Sequence, residues 1–272
     1  MDQRTPEMSE QAPVKQRQRT SAFGIEFSTW DAGRIVDTIV SEPVPAGEGL
    51  RLLVTANLDH IVQLNRNPAF RAAYDKAWLI TVDGAPVLLY ARLRGLAVPG
   101  RITGADLFPE IIERLKPGTH RPLLLCSSET TAAILDDKLK ALGFSEHVIV
   151  TAPPAFEQNE TFGRELVAML RERRVTHIFF GIGAPKSEIW MDKHRADLPD
   201  CYGFGFGAGL DFYAGVKSRA PVFLRKAGLE FLWRVATEPR RLARRYFVTS
   251  WAFCWAVYKD LTADRPDTDK TR

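Results

Sequence analysis

Lys186, Ser187 and Glu188 follow directly on a turn built from Gly181, Gly183 and Pro185, and Asp211 follows a second turn holding Gly207 and Gly209. Each turn ends an apolar run, residues 175–182 and 202–206, of a length that suits a buried strand. Glycine lets backbone N–H groups approach a phosphate closely, and the N-terminus of a following helix favours an anion. In open α/β sheets ligands gather at the carboxyl ends of strands. The two loops therefore read as one wall of a site for a phosphorylated small molecule. Read alone, the same glycines serve equally as plain turns. The pattern is neither a Walker A loop nor a complete G-x-G-x-x-G fingerprint, so neither ATP nor NAD follows from it. A dinucleotide-dependent oxidoreductase, suggested only by glycine-ended strands, lacks its ribose-binding acid as well.

The same design occurs earlier. An apolar run at 78–82 ends in Asp83-Gly84-Ala85-Pro86, and a helical pattern at 87–94 follows. Further strands are predicted at 50–55, 122–126 and 147–150, with a short strand or staple at 23–27. Helices are predicted at 31–40, 58–64, 69–76, 107–115, 130–142 and 161–173. Asp106 and Thr103 both lie near the start of the helix at 107–115 and either could cap it. Alternating strands and helices predict a Rossmann-like α/β fold, its mainly parallel sheet covered by helices on both faces.

The chain has 272 residues and 45% hydrophobic content, enough for one sizeable α/β domain with an appendage. Its three cysteines, Cys126, Cys201 and Cys254, are widely separated and form neither a disulfide framework nor a metal cluster. Cys126 and Cys201 read as small buried apolar residues, and a reducing cytoplasm suits them. The first twenty or so residues are polar and lack the apolar run of a signal peptide. No run approaches the roughly 20 apolar residues that span a bilayer. The expected organisation is a disordered tail at 1–21, an α/β domain at 22–221, a basic and aromatic helical appendage at 222–260 and a disordered tail at 261–272.

Within residues 222–258, Arg225, Lys226, Arg234, Arg240, Arg241, Arg244 and Arg245 interleave with Phe, Leu, Trp and Tyr, and Pro239 divides the stretch into two helices. Such interleaving suits a helix lying in a headgroup layer. The alternative is a helix packed on the core with its arginines solvated. Nothing else resembles a nucleic-acid module, and no nucleic-acid partner is expected.

Taken in order, TANLDHIVQLNRNPAF, VDG, RITGADL, FFGIGAPKSEIW, FGAGLDFYAGVKSRAP and GLEFLWRVATEPRRLARRY make residues 23–248 resemble the WecG/TagA/CpsF family, family twenty-six of the glycosyltransferases. The resemblance implies inverting, metal-independent transfer of a hexosyl or N-acetylhexosaminyl group. The donor would be a UDP-sugar and the acceptor a polyprenyl-diphosphate-linked saccharide. The setting would be the cytoplasmic face of the bacterial inner membrane, in synthesis of exopolysaccharide, capsule, teichoic acid or common antigen. No cofactor is implied.

Asp83 matches the family's proposed general base, the group that takes the proton from the attacking acceptor hydroxyl; in isolation a D-G pair reads more readily as a turn, and the resemblance reverses that preference. Thr55 and Asn57 match a T-x-N that could hydrogen-bond sugar or acceptor, although Asn57 is equally a helix N-cap. Arg101 matches an active-site arginine. Arg234, Arg241 and Arg244 match arginines thought to meet the diphosphates from the appendage, a task suited to the guanidinium fork. Gly104, Gly183, Pro185, Lys186, Ser187, Glu188, Gly207 and Asp211 complete the expected binding set. Asp211 is read evenly as a ligand contact or as a buried carboxylate serving its own loops.

The chain departs from the family pattern where Ser187 replaces a glutamine, where Ala208 and Leu210 stand in the V-G-G-x-F-D motif, and at Phe231 in L-E-W. These departures leave the donor sugar open between N-acetylmannosamine, glucose and others. A non-catalytic nucleotide-sugar or lipid-binding regulator on this scaffold is the other reading, opposed by the presence of Asp83 and Arg101. An exposed apolar appendage could also pair two copies of the chain.

Overall fold

The structure, a computed structural model, describes residues 20–226, 230, 233, 236 and 239–263. A hairpin of β1 (Ser21–Ala22) and β2 (Ile25–Glu26) opens it, followed by α1 (Ala32–Ser41). Then come β3 (Leu50–Ala56), α2 (Leu58–Leu64), α3 (Pro68–Asp75), β4 (Leu79–Val82), α4 (Ala85–Leu93) and α5 (Gly104–Arg114). β5 (Pro122–Cys126), α6 (Glu129–Ala141), β6 (Val148–Thr151) and α7 (Glu160–Glu172) follow. The last strands are β7 (His177–Phe180) and β8 (Cys201–Gly205), each running into a helix, α8 (Lys186–Lys193) and α9 (Ala208–Ala214). α10 (Val222–Lys226) and α11 (Pro239–Ala263) close the described chain.

Strands β3 to β8 form one six-stranded sheet in the order β4-β3-β8-β7-β5-β6, with every neighbouring pair parallel. The sheet is buried on both sides, which is why its strands read as unbroken apolar runs. Side chains still alternate by face. Leu52, Val54, Leu123, Leu125, Ile178 and Phe180 join one core with α2, α3, α4, α7 and α8. Leu53, Leu124, Phe179 and Phe204 join the other with α1, α5, α6 and α9. Cys126 and Cys201 are buried, and burial pushes both thiols up to about 12.

Two elements differ from expectation. The segment after β8, read only as a glycine turn carrying Asp211, is a helix, α9, and α5 starts at Gly104, not near Leu107, with Thr103 as its cap. Both differences have one cause. The first turns of α5 and α9 cross closely: a Cβ on Gly104 would stand 2.6 Å from the Phe206 ring, and one on Gly209 would stand 3.3 Å from the Ala105 backbone. Close contact selects small residues, which erases the apolar periodicity that signals a helix.

α11 packs against α2 and the hairpin through buried Phe253 and Ala256, which belong to the core on that face. Asp260 near its end receives hydrogen bonds from the Phe23 N–H, from Tyr90 Oη at 2.6 Å and from Arg94 at 2.5 Å. The opposite face of α11 exposes Trp251, Trp255 and Tyr258. Among the described residues no helix is long and apolar enough to cross a membrane. Residues 1–19 and 264–272 lie outside the described residues. Ser21 belongs to the hairpin and α11 runs to Ala263, so both expected tails begin or end inside ordered elements.

Candidate active site

The polar residues singled out in the described α/β region stand at the carboxyl ends of four adjacent strands, β4, β3, β8 and β7. Parallel pairing of Ala56 with Val82 brings the next residues, Asn57 and Asp83, side by side. The Asp83 N–H donates to the Ala56 carbonyl at 2.9 Å. Gly84, at φ 99°, faces Asn57 so closely that a Cβ would lie 3.8 Å from the Asn57 Cβ. Positive φ is the geometry that favours glycine behind Asp83. Asp83 is half-buried, and the Thr55 side of β3 is buried. The Asn57 side chain accepts the His60 N–H at 3.1 Å, so it is the N-cap of α2.

Arg101 reaches the same tip because the chain before α5 continues along β4: the Ile102 N–H donates to the Val82 carbonyl at 2.8 Å and Thr81 Oγ1 donates to the Ile102 carbonyl at 3.1 Å. Arg101 stands 3.8 Å from the Glu230 carboxylate, so the stretch after α10 meets the strand tips at this point. Arg219 braces the loop from the other side. It pairs with Asp106 at 2.7 Å and donates to the Ala105 carbonyl at 3.2 Å. Burial opposes ionisation of Asp106, but hydrogen bonds from Arg219 and Thr103 override it and hold the carboxyl below its ordinary value. Glu230 and Arg219 were missed as positioning groups from sequence, although both lie inside quoted motifs, because only the folded loop shows what they hold.

At the β7 and β8 tips the glycine loops touch: a Cβ on Gly207, itself at φ 50°, would lie 3.8 Å from the Gly183 Cα. A Cβ on Gly183 meets nothing within 4 Å, so the loop is open to a ligand there. Of the polar side chains around it, Ser187 and Asp211 turn inward and Lys186 stays exposed. Ser187 is buried and donates to the Ile182 carbonyl at 2.8 Å. Lys186, next to Pro185, pairs with Glu157 at 3.0 Å. Asp211 is 2% exposed and accepts from Thr131 at 2.9 Å, Ser127 at 3.1 Å and Lys217 at 2.7 Å. Of the two readings of Asp211, its observed partners are those of a buried carboxylate tying loops together.

Glu188 lies deeper. It is 1% exposed, its Oε2 has no hydrogen-bond partner among the described residues, and burial raises its pKa to about 7. Tyr74 lies near it, buried, with its hydroxyl 2.6 Å from His60 Nδ1. Burial, then the charges of Glu188 and Asp83, push the Tyr74 hydroxyl well above its ordinary value.

Arg234 lies outside the described residues. Arg241 and Arg244 fall in the first turns of α11, where the backbone alone is described. The described residues contain no cluster of three His, Cys, Asp or Glu side chains able to hold a metal ion. A cleft of about 560 Å³, lined by Phe27, Trp30, Asp75, Trp78 and Ile80, runs along the outer edge of β4 and stops short of Asp83.

A family model described as "Glycosyl transferase WecG/TagA/CpsF family" matches residues 20–266. An N-acetylglucosaminyldiphosphoundecaprenol N-acetyl-beta-D-mannosaminyltransferase of Bacillus spizizenii is 26% identical over 192 residues, 71% of this chain and 73% of that protein. The protein of the same description from Staphylococcus aureus strain NCTC 8325 is 23% identical over 247 residues, 85% of this chain and 91% of its own.

Proposed function

The chain belongs to the WecG/TagA/CpsF family of glycosyl transferases, and from that membership we propose an inverting transfer, without a metal, from a UDP-sugar to a polyprenyl-diphosphate-linked saccharide. The two relatives are named for an acceptor of this kind and for N-acetylmannosamine transfer, which supports the acceptor class. The donor sugar stays open, because the glycine loops differ from the family pattern at Ser187, Ala208 and Leu210.

The observation that carries the reading is the meeting of Asp83, Asn57 and Arg101 at the β3 and β4 tips, beside two glycine loops with open space at Gly183. Asp83 takes the proton of the acceptor hydroxyl as its oxygen bonds to the anomeric carbon. The bond from that carbon to the diphosphate breaks on the opposite face, and UDP leaves with the electron pair. Arg101 supplies positive charge to the oxygens that gain it. The open backbone of the loop at Gly183 receives the diphosphate. Glu230 keeps Arg101 aimed while the site is empty, and Arg234, Arg241 and Arg244 add charge from the appendage.

The exposed aromatic face of α11 supports a peripheral seat on a membrane, with residues 222–260 as the seating unit, and the family resemblance favours the cytoplasmic face of the inner membrane for that seat. The test is UDP release from a panel of UDP-sugars with a short-chain prenyl-diphosphate saccharide. Asp83→Asn is expected to lower turnover by about 10²–10⁴ with its melting temperature kept. Turnover near the wild-type level in that variant removes Asp83 from the role of base.

A further inference from the structure

We propose that α4 is a second membrane-seating limb, inserting Leu89 and Leu93 into the headgroup boundary of an anionic lipid surface beside Trp251, Trp255 and Tyr258 of α11. The proposal rests on the peripheral-membrane reading above and adds a surface that no motif pointed to. Leu89 and Leu93 are 61% and 77% exposed, an i, i+4 pair on one face of α4. The other face is fixed to the fold by buried Val87, Tyr90 and Ala91.

Tyr90 and Arg94 both hold Asp260, so the outward leucines of α4 and the outward aromatics of α11 belong to one rigid unit. The Phe23 ring packs at a tilt against both Tyr90 and Phe253, between the two helices. Trp and Tyr are the aromatic residues that sit at headgroup level.

Charge decides the occupant. From Gly84 to Ala105 the chain carries Arg92, Arg94 and Arg101 and no acidic residue. Arg92 is exposed beside Leu93, and Lys259 is exposed beside Tyr258. Arg94 is already paired with Asp260 and Arg101 with Glu230, so Arg92 and Lys259 are the cations this patch exposes. In an isologous pair of copies the same patch faces itself and sets these cations against their own kind, whereas an anionic lipid surface answers both. The position has a purpose. α4 starts after Asp83-Gly84, and Leu89 lies about 9 Å further along the helical rise. Seating Leu89 and Leu93 together lays α4 along the surface, so the base stands within about 9 Å of Leu89, beside the boundary where a lipid-linked diphosphate sugar emerges.

The test is co-sedimentation with vesicles of phosphatidylcholine alone and of phosphatidylcholine with phosphatidylglycerol at about three to one. The proteins are the full chain, the Leu89→Ser/Leu93→Ser variant and the Trp251→Ser/Trp255→Ser variant. Their melting temperatures, masses in solution and UDP release with a soluble short-chain acceptor are measured alongside. The leucine variant is expected to lose at least about fivefold of its partition onto the anionic vesicles, with unchanged melting and unchanged UDP release on the soluble acceptor. Unchanged partition of the leucine variant, with loss in the tryptophan variant, overturns the α4 limb and leaves membrane seating by α11 standing. No binding of the wild-type chain to either vesicle overturns the limb and the peripheral reading together, while UDP release still reports the transferase separately. A dimer that the leucine pair converts to monomer, with partition unchanged, assigns the patch to a second copy and also overturns the proposal.

Discussion

The tips of β3 and β4 and the tips of β7 and β8 carry motifs of equal prominence in the sequence, yet their polar side chains meet different fates. At β3 and β4, Asp83 is half-buried at the rim, Arg101 is carried to the same rim, and Gly84 leaves the turn narrow. At β7 and β8, Asp211 and Ser187 are buried on protein partners, Lys186 is exposed but paired with Glu157, and the loop at Gly183 stays open. One half of the edge presents a carboxylate and an arginine; the other presents backbone flanked by one lysine. The division suits a reaction in which side chains move a proton and N–H groups hold phosphate oxygens. Motif strength alone does not distinguish a carboxylate that reacts from one that braces; its partners do.

Replacing the bracing carboxylate is the strongest way to break this contrast. Asp211→Ala would leave the buried Thr131 hydroxyl without its acceptor and release Lys217 and Ser127 from α9. The expected loss is about 3 kcal/mol of stability, read by urea unfolding, with turnover per folded molecule falling less than in Asp83→Asn. A fully stable Asp211→Ala protein with a much larger KM for donor would return Asp211 to the ligand.

Glu188 sharpens the contrast through pH. Its folded pKa, about 7, lies above the ordinary 4.5, because burial disfavours the charged form. The folded chain therefore holds this proton more tightly than the unfolded chain. The group's contribution is greatest below its ordinary pKa and is lost as pH rises through the folded value. Glu188→Gln removes that dependence. The stability of the variant relative to wild type should rise by up to roughly 3 kcal/mol between pH 4.5 and pH 8. A difference that stays constant with pH would mean that burial does not shift Glu188 from its ordinary value.

Much of the architecture was legible because physics left marks in one dimension. Strands buried on both faces leave continuous apolar runs, and Asp31, Asn57 and Ser128 stand as side-chain caps where helices begin. α9 and the first turn of α5 were hidden because a close helix crossing replaces apolar residues by Gly104, Ala105 and Gly209. The stretch from 239 admitted two readings, membrane face or packed helix, and the structure gives α11 a packed face at Phe253, Ala256 and Asp260 and an exposed aromatic face opposite. At the candidate site, Asp83, Asn57 and Arg101 were found through resemblance. Arg219 and Glu230 were not, since an arginine bracing a loop looks like any surface arginine until its partners are known.

The smallest effect is expected at Ser187, and it tests the contrast at its finest. The resemblance places a ligand-contacting glutamine here, so a serine in contact with donor would make the β7 tip a side-chain site like β4. Ser187 instead donates to the Ile182 carbonyl and is wholly buried. Ser187→Ala would leave that carbonyl one hydrogen bond short, at a cost of about 1 kcal/mol in stability. The kcat/KM for donor should stay within about twofold, because the glycine N–H groups beside it are untouched. A tenfold rise in KM with unchanged melting would show the hydroxyl turning toward the donor, and the division between side-chain and backbone halves of the strand edge would no longer hold.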